Sequence, residues 1–488
     1  MGFQRLNKLI APALMLISGL YYYLLSAKIW TWIYTSGDSG DWLIQLNWWM
    51  NPHPYGSPIY ILAIKLVSFL PGSDIFRVTL LSIIPAAVSV GVTYLAAEHL
   101  TKSKLKGLTA SLIVMGAVIF TSQATVIEHY AMLAMFLVLG FYAYVKGSYK
   151  WAAVFIGCAT AVHIAGLITF GVWVALTRSR EWLKALPLYV LFGFAPYLLM
   201  IGMMAFDTPR LMAGGLSFKS LMIYLLGNST GSVTLSIYSF PKRVFEAICV
   251  LGVSYGLAAL PLIKSNWNDV KTRLALITAS LGLWFYMTNL FPSTYKYVAF
   301  TIPVVAVLIA CNLNRLKPYH TYVVLAGAVV LTLANGIFMN TDKEARLEPH
   351  ATEYYEALWA LPDGSGVLTP RGGQYAFGLW YAISEGKDLV PLVLTPPTGI
   401  GSMAVINPDR MYIDYFNWLE REWGVKGANS LETAEYMLSS GDNVYIAMFS
   451  DADIWAEVYD SEGEGYLRKV TRVNPDPDWA RITEEKKL

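Results

Sequence analysis

The sequence predicts a polytopic α-helical membrane protein of about 11 membrane helices, a short broken pair among them, followed by an extracytoplasmic α/β domain. Three observations predict this class. The 488 residues are 55% hydrophobic and only 14% charged, with a mean hydropathy of +0.45; a soluble domain carries roughly 25% charged residues. Apolar segments recur near 8–30, 76–100, 107–125, 128–146, 151–176, 184–205, 241–263, 272–291, 295–312 and 319–340, lengths suited to crossing a bilayer. The charge is also unevenly divided. Residues 1–341 hold 23 Lys/Arg against 9 Asp/Glu, a net of +14, and residues 342–488 hold 13 against 25, a net of −12. That reversal marks a boundary between a membrane module, 1–341, and an acidic tail domain, 342–488.

The first segment is too long for a signal-peptide core and lacks a small-residue cleavage site, so it reads as an uncleaved span. Segment 151–176 decides the topology. As one crossing it would throw Arg178, Arg180 and Lys184 to the outer side. As two half-helices turning around His163 it returns the chain to the side it came from. Each half, about 13 residues or roughly 20 Å, is too short to cross a ~30 Å core alone. The broken-pair reading gathers 15 of the 23 basic residues of the module on one face, as the positive-inside rule requires. The amino terminus is then cytoplasmic. Asp38, Asp41, His53, Glu128, Lys296 and the acidic tail face outward, in a cell membrane or ER-type membrane.

Short β-rich runs in the tail (366–369, 390–395, 444–449 and 466–473) alternate with helical stretches (375–384, 411–423 and 431–439). This alternation predicts a small α/β domain with a largely parallel sheet. Pro370–Gly373 falls between a strand and a helix, where binding loops are common. Cys158, Cys249 and Cys311 lie far apart in apolar stretches and read as small core residues. The predicted active face is extracytoplasmic, where ATP and nucleotide sugars are absent; no phosphate-cradling Gly-rich motif appears in the sequence, and no feature points to nucleic acid.

The chemistry-bearing residues concentrate in the loop after the first span, Asp38 to Tyr60. Two carboxylates beside a bilayer are costly to hold unless they face water, a partner or a substrate. Asp38 and Asp41 suit a general base acting on a hydroxyl; capping of a helix over 41–50, with Asp41, Ile44 and Trp48 on one face, is the competing role. His53-Pro54-Tyr55-Gly56-Ser57-Pro58 forms a preorganised corner that presents His53 and Tyr55 to the outer face, or simply starts a helix. Glu128, His129 and Tyr130 sit at an outer helix edge, as binding residues or solvated ends. His163 lies where a polar ring is expensive, and either binds substrate or is satisfied by backbone carbonyls. Arg77 and Lys296 offer cations to a lipid-linked phosphate, or snorkel to headgroups. Trp30, Trp32, Tyr34, Trp42, Trp48 and Trp49 read as an interfacial belt in preference to a sugar platform. Asn228-Ser229-Thr230 is a glycosylation sequon.

These residues resemble the GT-C superfamily of membrane glycosyltransferases, and within it a branch of protein O-mannosyltransferase-like proteins. That branch carries Asp-Ser-Gly-Glu after the first span and then His-Pro-Pro-Gly-Tyr-Pro-Leu-Tyr. Asp38-Ser39-Gly40-Asp41 and His53-Pro54-Tyr55-Gly56-Ser57-Pro58-Ile59-Tyr60 are similar to these. Glu128-His129-Tyr130-Ala131-Met132 looks like the family's Glu-Val-Tyr-Ala-Leu, and Ala161-Val162-His163 like Gly-Asn-His. Tyr375-Ala376-Phe377-Gly378-Leu379-Trp380-Tyr381 is similar to Asp-Thr-Phe-Pro-Leu-Trp-Tyr. Asp41 replaces a glutamate, and Gly373-Gln374 replaces an acidic Asn-Asp, so the role of that acid does not carry over.

The resemblance implies a membrane glycosyltransferase that moves mannose or another hexose from a polyprenyl- or dolichyl-phosphate donor to an acceptor hydroxyl. Asp38 is then the catalytic base, with Asp41 beside it, and the reaction inverts configuration. His53, Tyr55, Glu128, His129 and His163 line the cavity, and Arg77 or Lys296 holds the donor phosphate. The acceptor is a protein or glycan, and membrane lipid surrounds the whole. No cofactor is required, although Asp38 with Asp41 or Glu128 has oxygen donors that suit a divalent metal. A lipid-linked-sugar transporter or binding protein using the same cavity is the rival class; the inverted repeats expected of it are not evident.

Overall fold

The computed structural model describes residues 9–26, 42–49, 57–207, short stretches within 255–279, 296–341, 349–370, 374–394, 430–447, 459–463 and 466–474. The chain divides into two compact units. One comprises Met1–Trp30, Tyr55–Gly202 and Thr234–Leu347, and the other Thr31–Pro54, Met203–Val233 and Glu348–Leu488.

The first unit is helical. Its described elements are α1 (Ile10–Ser26), α2 (Pro58–Val67), α3 (Asp74–Thr101), α4 (Lys104–Gly116), α5 (Val118–Ala124), α6 (Tyr130–Val145), α7 (Tyr149–Val162), α8 (Ala165–Thr177), α9 (Glu181–Asp207, which begins here), α10 (Lys296–Ala299), α11 (Ile302–Asn312) and α12 (Tyr319–Thr341). Helix α3 is central and packs against α1, α4, α6 and α11. Its start is specified locally: Ser73 Oγ accepts the Phe76 N–H at 3.3 Å, and Asp74 sits in the first turn, where the helix dipole favours an acid. Small residues allow close approach elsewhere. A Cβ at Gly116 would meet the backbone of Ala328 and Thr332 at 3.1 Å, so α4 lies directly against α12.

Large apolar side chains remain exposed along α1 (Leu16, Ile17, Leu20, Leu24), α9 (Leu183, Leu191, Leu198) and α12 (Val323, Val330, Leu333, Ile337), the chemistry of a lipid-facing surface. By length and composition, 3 described helices can cross a membrane, in 74–101, 181–200 and 318–337, or up to 4 if a bent pair counts as one span. The expected 11 spans are therefore not reached among the described residues. Segment 107–125, expected as one span, is broken: α4 and α5 meet at a bend of 69° around Ala117. The break within 151–176 lies where the charge pattern placed it, with α7 and α8 of 14 and 13 residues on either side of His163. Segments 241–263 and 272–291 lie largely outside the described residues.

The second unit carries α13 (Pro349–Ala360), β1 (Ser365–Pro370), α14 (Gln374–Ser384), β2 (Leu389–Leu394), α15 (Ser430–Ser439), β3 (Val444–Ala447), β4 (Tyr459–Glu462) and β5 (Leu467–Val473). The strands form one sheet in the order β2-β1-β3-β5-β4. Strand β1 pairs in parallel with both β2 and β3, whereas β3/β5 and β4/β5 are antiparallel. The expectation of a largely parallel sheet is thus corrected: half of its pairings are antiparallel, because a hairpin closes one edge. Strand β4, Tyr-Asp-Ser-Glu, has too little apolar alternation to be visible in sequence, and a bulge at Asp460/Ser461 interrupts it further. Tyr354, Leu358, Val367, Leu379, Ala382, Leu389 and Ala447 form the core, between the sheet and helices α13 and α14.

Candidate functional site

Four of the residues singled out in sequence, Glu128, His129, Tyr130 and His163, meet inside the first unit. Helix α7 ends at His163, whose backbone is extended (φ −158°, ψ 144°). Two residues later α8 begins, and the Ala165 N–H donates to His163 Nδ1 at 3.1 Å. The imidazole therefore caps the helix that follows it, and since Nδ1 accepts, a neutral ring carries its proton on Nε2. The corner is tight. A Cβ at Gly166 would lie 2.3 Å from the Thr160 nitrogen and 2.5 Å from the Ala159 carbonyl carbon, so only glycine fits there. Ser57, just before α2, donates to the Val162 carbonyl at 2.8 Å and ties that helix to the end of α7.

From the opposite side, Glu128 and His129 lie in the connection between α5 and α6. Ser82 on α3 brackets the backbone there, donating to the Glu128 carbonyl at 2.9 Å and accepting from its N–H at 3.3 Å. Glu128 Oε2 and His129 Nδ1 are 3.4 Å apart. The His129 ring stacks on His163 at 5.7 Å and 21°, lies 4.3 Å from Tyr130 and meets Tyr60 edge-on at 6.0 Å. Glu128, His129, His163 and Tyr60 are fully buried. A carboxylate taken out of water needs such a neighbour, because its desolvation is costly. The arrangement offers a buried carboxylate, two imidazoles and two phenols, a set able to hold a phosphate or sugar hydroxyls and to relay a proton. Among the described residues no group of three or more His, Cys, Asp or Glu is placed to hold a metal. Ser57→Ala removes a buried bond at this corner; thermal unfolding in detergent should show a loss of about 1 kcal/mol.

Tyr60 and Ser82 did not stand out in the sequence as members of this cluster. Tyr60 ends the His53–Tyr60 motif, three residues past Ser57 on α2, a usable signal. Ser82, one hydroxyl in an apolar helix, offers none.

Other expected residues fall elsewhere. Arg77 is in the first turn of α3, where it pairs with Asp74 at 3.1 Å and donates to the Ser68 carbonyl at 3.1 Å. Lys296 is the first residue of α10. Asp38, Asp41, His53 and Tyr55 lie outside the described residues.

In the second unit, residues 42–49 follow directly on Asp41. Among these described residues, 42–44 are helical and turns continue to Asn47; positions 41 and 50, the ends of the helix considered over 41–50, lie outside them. This segment packs on α14: Asn47 Nδ2 donates to Ser384 Oγ at 3.1 Å, and Trp48 meets Trp380 edge-on at 6.1 Å. The interfacial-belt reading is corrected for Trp42, which is fully buried. Tyr466, hydrogen-bonded to Glu353, has its phenol pushed up to about 12. The raised value favours the protonated form, so this bond's contribution is present below the ordinary tyrosine value and fades as pH rises towards 12.

No protein-family model and no curated protein matches the chain. Two solved structures share its fold along nearly the whole length. ArnT from Cupriavidus metallidurans bound to undecaprenyl phosphate superposes with a TM-score of 0.62 at 11% identity, covering 96% of this chain and 98% of that one. The apo state of the same protein gives 0.56 at 12% identity, covering 98% of each chain. At such identities the likeness is one of fold.

Proposed function

From a chain that carries the GT-C fold, we propose that it is an integral-membrane glycosyltransferase acting on a polyprenyl-phosphate-linked sugar. The observation that carries this reading is the end-to-end match to ArnT, a structure that holds undecaprenyl phosphate. The buried Glu128–His129–His163 cluster supports it, because a lipid-linked donor calls for polar groups set within an apolar helical body.

In this reading the sugar phosphate enters sideways from the outer leaflet. His163, Arg77 or Lys296 stabilises the negative charge that develops on the departing polyprenyl phosphate. Of these, His163 accepts from the Ala165 N–H at Nδ1, so a neutral ring donates through Nε2, and Arg77 is held by Asp74 and the Ser68 carbonyl. Asp38 removes the proton from the acceptor hydroxyl as its oxygen attacks the anomeric carbon, and the bond to phosphate breaks in the same displacement. The anomeric configuration inverts. Asp41 supports Asp38, and Glu128 with His129, His53 and Tyr55 lines the sugar site. The sugar is mannose or another hexose, and the acceptor a protein or glycan, as in the O-mannosyltransferase-like branch. The amino terminus is cytoplasmic and the tail domain, 342–488, extracytoplasmic.

The test is transfer of label from a polyprenyl-phosphate sugar to added acceptors by the purified chain in nanodiscs. Saturable binding of the donor with no transfer, including under single-turnover conditions, would instead favour a lipid-linked-sugar carrier. Within this assay His163→Asn separates two roles. The amide oxygen can still accept from Ala165, so folding is retained, while loss of the ring donor should lower transfer by about tenfold or more.

A further inference from the structure

The second unit contains a feature that sugar transfer does not use. Strand β1 lies between β2 and β3 and is parallel to both. The helices that follow it leave on opposite faces. Val367 packs with Leu379 and Ala382 of α14 on one face, and a Cβ at Gly366 would meet Met437 of α15 at 3.0 Å on the other. The order of connections therefore reverses at β1/β3. In open α/β sheets, ligands bind outside the carboxyl ends of the strands at such a reversal.

Thr369 stands at that end of β1. By strand alternation it shares the face of Val367, about 6.6 Å further along. Helix α14 returns antiparallel to β1 on this face, so its amino-terminal end overlies the carboxyl end of the strand, and Thr369 is directed towards it. Thr369 is fully buried, and its Oγ1 has no hydrogen-bond partner. A buried hydroxyl without a partner costs free energy, and a bound acceptor atom would remove that cost. Helix α14 has 11 residues, enough to present unsatisfied N–H groups and a positive dipole end. Residues 342–488 carry a net charge of −12, so any anion drawn here needs local donors of this kind.

We infer that the reversal between β1 and β3 of the C-terminal sheet is an anion-binding site, in which Thr369 Oγ1 and the amino-terminal N–H groups of α14 take a phosphate monoester. The site is distinct from the Glu128–His163 cluster, and its test reads binding, not transfer, so it stands or falls independently of the glycosyltransferase reading.

The full chain in zwitterionic-lipid nanodiscs is titrated with inorganic phosphate by calorimetry, against chloride at matched ionic strength. Saturable binding is expected. Thr369→Val should weaken it about tenfold or more, and Thr369→Ser should keep it within about threefold. Because valine fills the same space without a hydroxyl, the phosphate-free variant should unfold at the same or a higher temperature, showing that the loss is local. Absence of saturable phosphate binding by the unmodified chain, or unchanged binding by Thr369→Val, would overturn the site. Competition by a hexose phosphate identifies a water-borne phosphoester as the ligand, and competition by a short-chain polyprenyl phosphate identifies a lipid-borne one.

Discussion

Asp38→Asn is expected to reduce sugar transfer by about 10²–10⁴-fold, the range over which a positioned general base contributes. The amide keeps nearly the same size and still accepts a hydrogen bond, but it does not take up the acceptor proton at neutral pH. Donor affinity should change little, because the proposed mechanism assigns the phosphate to other residues. The measurement is the initial rate of label transfer in nanodiscs beside the dissociation constant of the donor. Full activity in Asp38→Asn would remove the base assignment and move the role to Asp41 or Glu128. A parallel loss of donor binding would point to a role for Asp38 in holding the substrate instead.

The second large effect is structural. Gly166→Ala should destabilise the first unit by about 3 kcal/mol or more, at or beyond the upper end of ordinary overpacking. The reason is the identity of the obstacle. A methyl group at 166 would meet the Thr160 nitrogen at 2.3 Å and the Ala159 carbonyl carbon at 2.5 Å, both backbone atoms of α7 that no rotamer change can move aside. To admit it, α8 must tilt away from α7, which would pull Ala165 from His163 Nδ1 and shift the ring stacked on His129. A methyl group at Gly171, on the same helix, would meet nothing within 4 Å. Gly171→Ala should therefore be neutral or stabilise by up to about 1 kcal/mol, the usual helix preference for alanine. Thermal unfolding of the pair in detergent decides the matter: equal melting temperatures would show that the corner at His163 is looser than its geometry requires.

Several parts of this molecule were legible in the linear order of residues because they depend on local composition. Apolar runs marked the helices, although their ends and breaks were less visible. The interruption at His163 could be inferred because one unbroken crossing would have misplaced Arg178, Arg180 and Lys184. The break at Ala117 carried no comparable charge penalty and went unseen. In the tail, β1, β2, β3 and β5 were evident from β-branched and apolar runs, whereas β4 was hidden because its residues satisfy hairpin pairing and not burial. Glu128, His129 and His163 stood out individually because ionisable residues in apolar surroundings are costly.

The apolar helical character, the reversal of charge near residue 341 and the identity of the polar candidates thus follow from composition and charge alone, since transfer free energies depend on residue type and short-range order; that 31–54 and 203–233 join the second compact unit does not. The meeting of His129 with His163, the bracketing of Glu128 by Ser82, the inclusion of Tyr60 and the reversal at β1/β3 do not follow from it. Those contacts join positions tens of residues apart, and helix packing and strand order bring them together. A periodic pattern says which face of an element is buried; only the folded chain specifies what that face is buried against.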